Sequence, residues 1–204
     1  MKKFSGYNEI NVDVLEKLPR GAYVLRILEA KEEITASGWD TLRVSFDIVE
    51  GEYKDFYKNQ YISSTTKDKK WKGVKVVYLP KDDGTDEDER TKRTFKTFIS
   101  KVEHSNPGYS WDWNEVGLKG KLVGGLFAME EKIIDGKKVS WVHLFWWDNV
   151  DNIRTGKFTM PEDKLLTADQ IANAEYHNSV KSGEPIPTDF VDVAAGINVE
   201  LPFD

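Results

Sequence analysis

The side chains best able to do chemistry in this sequence are few, and most point away from catalysis. Histidine occurs three times, as His104, His143 and His177, with neither HxxxH nor HExxH spacing, so a histidine metal site is not expected. There is no cysteine. That removes thiolate metal sites, a cysteine nucleophile and a disulfide framework, and it fits a reducing compartment. No GxSxG, Walker A or GxGxxG pattern is present. Glu29-Ala30-Lys31 has the spacing by which some metal-dependent nucleases set a carboxylate and a lysine on one phosphate. Asp13 is a poor partner carboxylate for it, and a strand end needs charged residues in any case. The acidic run 82–89 lacks the spaced ligands and central glycine of a calcium loop, and it suits a helix N-terminus, where the dipole favours acids. No catalytic residue, metal site or cofactor is expected.

The stronger signal is aromatic rings among cations. Lys67, Lys69, Lys70, Lys72 and Lys75 surround Trp71. Cations neutralise phosphates and exposed rings stack bases, at about 1–3 kcal/mol per base, which is what a single-stranded nucleic acid needs. Trp71 as the first inward residue of a following strand, beside snorkelling lysines, is the alternative. A second ring cluster is VSWVHLFWW, residues 139–147. In a strand, Val139, Trp141, His143, Phe145 and Trp147 share one face, and Ser140, Val142, Leu144 and Trp146 the other. The second set suits a core; the first, flanked by Lys137 and Lys138, has the composition of a stacking platform. The converse packing would leave only Trp146 outside. Arg26, Arg43, Lys119, Lys121, Arg154 and Lys157 would add phosphate contacts.

The elements that must position these groups follow from periodicity. Residues 20–33 and 41–51 alternate as strands joined by the turn 35–39, which puts Arg26 and Arg43 on the polar face of one antiparallel pair. Residues 52–63 are aromatic and β-prone, 64–70 form a lysine-rich loop, and 71–80 return as a strand ended by Pro80. Thr85 heads a helix, with Asp88 as its capping partner and Phe95, Phe98, Ile99 and Val102 as its buried stripe. Asn106-Pro107-Gly108 stops it. Residues 118–134 form a long strand with a bulge or bend at Gly124-Gly125, and Asp135-Gly136 makes a tight hairpin into the aromatic strand. A second helix starts at Thr167, with Gln170 closing its capping box, and the last twenty residues read as an extended tail. The expected architecture is mainly β with helices (α+β). It is a five-stranded OB-fold barrel over 1–165 with its helix between strands 3 and 4, a C-terminal helix over 166–183 and a flexible acidic tail over 184–204.

The 204 residues are 39% hydrophobic and 12% aromatic, enough for one ring-rich core. The net charge of −6 argues against nucleic acid until it is divided. Residues 161–204 hold nine acids and two bases, and residues 81–90 six acids and two bases. The remainder is mildly basic, a distribution that points to a polyanion partner. No apolar run has signal-peptide or membrane-spanning length, so a cytoplasmic protein is expected.

The blocks LPRGAYVLRILEAKEE and LRVSFDIVEGEYKDFY, then GLKGKLVGGLFAMEE, the Asp-Gly hairpin and DNIRTGKFTMPEDK, resemble a family of phage and mobile-element proteins. Many of its members were long catalogued as of unknown function. The family is taken as OB-fold single-stranded DNA-binding proteins encoded near replication and recombination genes, and the likeness covers roughly residues 15–165. It implies a non-enzymatic, sequence-tolerant binder of single-stranded DNA in the host-cell cytoplasm; a homodimer is expected because one barrel offers a short site. The closing NVELPFD is similar to the acidic tip of bacterial single-stranded DNA-binding proteins, which closes on Pro-Phe and docks on replication and recombination proteins. The resemblance assigns that role to Pro202, Phe203 and Asp204, with the terminal carboxylate displaced by one residue. Two other classes remain: a metal-dependent nuclease around Glu29 and Lys31, and a β-rich interaction or inhibitor protein.

Overall fold

A computed structural model of the chain describes residues 17–173. It divides into two compact units. One comprises residues up to Ala128 together with Val142–Glu162, and the other Met129–Trp141 together with the residues from Asp163 onward. The protein is α+β, built on a five-stranded antiparallel sheet of order β3-β2-β1-β4-β5. The strands are β1 (Gly21–Ile34), β2 (Asp40–Ile48), β3 (Val74–Tyr78), β4 (Leu122–Ile134) and β5 (Lys137–Asp148). The helices α1 (Phe56–Ser63), α2 (Asp86–Ser105) and α3 (Val150–Thr155) complete the first unit, and β4 and β5 carry the chain into the second unit and back.

The first unit follows its hydrophobic pattern closely. Leu42, Val44, Phe46 and Ile48 of β2 and Leu25 and Ile27 of β1 are buried in one core, with Arg26 and Arg43 outside. Phe95, Phe98, Ile99 and Val102 of α2 close that core, each contributing roughly 1.5–3 kcal/mol by burial. The Thr85 hydroxyl accepts from Asp88 N at 3.2 Å, as the capping signal requires. Asp88 reaches further back than a capping box does, accepting from Lys81 N and Asp82 N at 2.9 Å. Its ammonium partner Lys92 holds the Asp88 carboxyl below its ordinary range. At the other end Asn106 donates to Val102 O and Leu122 O and accepts from Leu122 N, which ties the helix stop to the start of β4.

Three expectations are corrected. Residues 52–63, read as β-prone, contain helix α1 instead. The Asp47 carboxylate, buried in β2, accepts from Tyr57 N at 3.0 Å and Lys58 N at 3.1 Å and so takes two orphan donors of the first helical turn. Burial pushes the Asp47 carboxyl up against those hydrogen bonds. Gly124-Gly125 is not a bulge, because β1 and β4 pair in unbroken register through both residues. The glycines permit close approach: a Cβ at Gly124 would lie 2.6 Å from Ile153, and one at Gly125 2.6 Å from Leu25. The register shift falls in β1 between Ile27 and Glu29. Finally, the sheet is open rather than a closed barrel. Its edges are β3 and β5, and Lys75 Nζ donates to Leu144 O at 2.9 Å.

In the second unit Lys164 pairs with β4 at Glu130, exchanging hydrogen bonds with Met129 O and Glu131 N at 2.9 Å. Asp135 and Gly136 both have positive φ, the backbone of the expected two-residue hairpin turn. Thr167 and Gln170 form both bonds of a capping box, and residues 168–173 are helical. The remainder of the expected second helix, the acidic tail with Pro202, Phe203 and Asp204, and Asp13 and His177 lie outside the described residues. No helix among the described residues is long and apolar enough to cross a membrane.

Candidate functional site

The lysine cluster around Trp71 is assembled as a ring pair beside exposed cations. Trp71 is half-buried, and its indole N–H donates to Phe46 O and Gly73 O at 3.1 and 3.2 Å, so it caps the end of the β2–β3 ladder. Gly73 is held against the same carbonyl and tolerates no side chain: a Cβ there would meet Phe46 O at 2.3 Å and the Tyr57 ring at 2.8 Å. Tyr61, at the end of α1 and 40% exposed, lies 5.9 Å from Trp71. Lys69 Nζ sits 5.8 Å over the Tyr61 ring, and Lys67, Lys70 and Lys72 are exposed on the same loop.

The aromatic strand divides differently from either two-face reading. Val142 and Leu144 pack into the core, as the platform reading requires. Trp147, assigned to the platform, also packs inward, 4.7 Å from Phe98 and 6.1 Å from Phe46. Trp146 is 52% exposed. Core contacts are thus two apart at 142 and 144 but three apart at 144 and 147, so a strict two-face division does not describe β5. His143 and Phe145 are half-buried with rings 4.7 Å apart. Trp141, in the second unit, is half-buried with Lys132 Nζ 5.6 Å over it.

The remaining expected cations are scattered. Lys75 is spent on Leu144 O. Arg154 makes a two-point contact with Glu50, which raises its pKa and lowers that of the carboxyl. Arg43 lies 3.7 Å from Glu33 on the outer face of β2, cross-strand from Lys31 and Val76. Lys121 sits over the Tyr109 ring at 4.4 Å. Arg26, Lys119 and Lys157 are exposed. In the second unit Lys137 is exposed and Lys138 pairs with Glu131 at 2.9 Å.

Residues that the sequence reading passed over form a second ring pair at the far end of β3. Tyr78 is 50% exposed, and its ring meets Trp39 edge-on at 6.0 Å. Lys81 Nζ stands 3.5 Å over the Trp39 indole, a cation–π contact. The turn that carries Trp39 is fixed by Thr35, whose hydroxyl accepts from Trp39 N at 3.0 Å. The missed signal was the β3 alternation: with Val77 inward, Val76 and Tyr78 must face out. Beside this pair a cleft of about 520 Å³ opens between β3, the end of β5 and the first half of α2. It is lined by Trp39, Tyr78, Phe145 and Trp147 with Glu87, Arg90, Thr91 and Thr94 among its polar groups. A third ring, Trp113, is 82% exposed with φ of 64° and stacks on Phe95.

Glu29 and Lys31 stand exposed on β1, and among the described residues no group of three or more His, Asp or Glu side chains could hold a metal ion. No family model matches the chain, and no curated protein is significantly similar to it.

Proposed function

We propose that this chain is a non-enzymatic binder of single-stranded DNA that tolerates sequence and serves replication or recombination. The observation that carries the reading is the pair of ring–cation assemblies at the two ends of β3: Tyr61 and Trp71 with Lys69, and Trp39 and Tyr78 with Lys81. Trp71 and Tyr78 are seven residues apart, at most about 23 Å at about 3.3 Å per residue. A strand laid along β3 would stack bases at both ends and pass Arg43 between them. The finer fold reading supports this. We read the strand order, with α2 between β3 and β4 in the chain, as an OB-type arrangement left open between β3 and β5, where Lys75 Nζ reaches Leu144 O. A second copy would lengthen a short site.

The test is binding of a dT oligomer of about 25 nucleotides at two salt concentrations without added metal, long enough to fill a site of roughly 4–16 nucleotides per OB fold. Tryptophan quenching that weakens with salt is expected, and Tyr78→Ala and Trp71→Ala should each lower affinity roughly 5- to 150-fold. Absence of binding at low salt overturns the proposal. One observation favours a second reading, a protein-interaction module: the solvent-facing indole of Trp113. Under that reading Trp113→Ala abolishes partner capture, while oligonucleotides do not engage the protein.

A further inference from the structure

The cleft beside β3 has a chemical bias of its own. Its walls supply rings: Tyr78 and Trp39 on one side, Phe145 and Trp147 on the other. Its volume falls within the range of small-molecule sites, roughly 300–1,000 Å³. The polar groups come from one face of α2, where Glu87, Thr91 and Thr94 are spaced four and three residues apart and therefore stack along the helix. Thr91 Oγ1 lies 2.9 Å from Glu87 O, and Thr94 Oγ1 lies 2.9 Å from Arg90 O. A carbonyl only accepts, so both hydroxyl protons are committed to the helix. What the two threonines present to the cleft is lone pairs. Glu87 adds a carboxylate, which also only accepts. Two cations of the lining are engaged elsewhere: Lys75 Nζ is bound to Leu144 O, and the exposed Arg90 guanidinium lies 3.6 Å from the Glu87 carboxylate.

A ring-walled cleft with acceptors along one wall suits a planar group that carries hydrogen-bond donors on its edge. We propose that the cleft holds one base of the bound strand and favours bases with an exocyclic amino group. This rests on the reading of the chain as a single-stranded DNA binder, and it adds a composition preference to an otherwise tolerant site. Cytosine and uracil make the cleanest comparison. They stack alike and differ on one edge: cytosine carries a 4-amino donor beside an acceptor N3, uracil a 4-carbonyl acceptor beside an N3–H donor, and it is the 4-position that would meet the threonine lone pairs.

The experiment titrates dC and dU 25-mers into wild type and into Thr91→Val/Thr94→Val. Valine fits the helix as well as threonine does but carries no acceptor. Wild type is expected to bind dC about five- to tenfold tighter than dU, and the variant to bind both equally, at about the wild-type affinity for dU. Should the double variant be unstable in a thermal melt, Thr94→Val alone is read against Thr94→Ser, which keeps the acceptor and is expected to keep the preference. Equal binding of dC and dU by wild type overturns the cleft assignment and leaves the DNA-binding function standing. So does a preference that survives both valines. Failure of both oligomers to bind overturns the function and the cleft together.

Discussion

Removing Asp148 is expected to loosen the helix that walls the cleft. Asp148 ends β5, and its Oδ1 accepts from Lys101 Nζ at 2.8 Å, Asn149 N at 2.7 Å and Asn152 Nδ2 at 2.8 Å. One carboxylate thus joins α2, the end of β5 and the start of α3. Its side chain is 10% exposed and that of Lys101 28%, so the pair is screened less than a surface bridge but is not dry. Breaking a fully buried pair costs about 3–5 kcal/mol, and an exposed one about 0–1. Asp148→Ala should therefore cost about 2–3 kcal/mol, including the two donors left without an acceptor. Lys101→Met should cost less, about 1–2 kcal/mol, because Asn149 and Asn152 still satisfy the carboxylate. Urea denaturation measures both, and the double variant gives a coupling of about 1 kcal/mol.

The pH dependence gives an independent check. Burial raises the Asp148 carboxyl, but the hydrogen bonds from Lys101, Asn152 and Asn149 N outweigh it, and the net direction is down. A carboxyl with a depressed folded pKa contributes stability that is present above its unfolded value, near 3.9, and is lost as pH falls through the folded value. Wild type should lose stability from about pH 4 downward, and Asp148→Ala should lose less over that window. A cost below about 0.5 kcal/mol with an unchanged acid limb would refute the view that this carboxylate holds α2 in place.

Other outcomes follow from single features. Gly73→Ala, which forces a Cβ to 2.3 Å from Phe46 O and 2.8 Å from the Tyr57 ring, should lower stability by about 3 kcal/mol or more, read as a shifted urea midpoint. Asp47→Ala leaves Ile48 N, Tyr57 N and Lys58 N without their acceptor and should cost about 2–4 kcal/mol, with helical circular dichroism reduced. If Lys67, Lys69, Lys70 and Lys72 each neutralise a phosphate, the slope of log affinity against log salt should be about −3, and Lys69→Ala/Lys70→Ala should flatten it by about 1.4. Arg154→Ala should leave oligonucleotide affinity within about twofold, since Glu50 already holds that guanidinium.

Much of this architecture was legible because its causes are local. The β2 pattern Leu42, Val44, Phe46, Ile48 and the α2 stripe ending at Val102 state their buried faces directly, and the Thr85 cap and the Asp-Gly turn are set by residues within four positions. What failed depended on contacts distant in sequence. Helix α1 is capped by Asp47, ten residues before Tyr57 and on another element, so its own β-prone composition could not reveal it. Gly124 and Gly125 are small because Ile153 and Leu25 lie against them, and a glycine pair looks the same whether it serves a bulge or a close approach.

The aromatic strand shows why a site is harder to read than a fold. Any face assignment over 139–147 assumes that a single period of two runs through the strand, and every residue beyond a slip is then placed on the wrong side. Here the two neighbouring tryptophans lie opposite to the platform assignment, Trp147 against Phe98 and Trp146 toward solvent. Composition tells that rings are present and not which of them reach the surface. The rings best placed for a ligand, Trp39 and Tyr78, sit singly in a turn and at a strand end, 39 positions apart in sequence. Only the pairing of β2 with β3, which sets Thr41 opposite Tyr78, brings them together under Lys81.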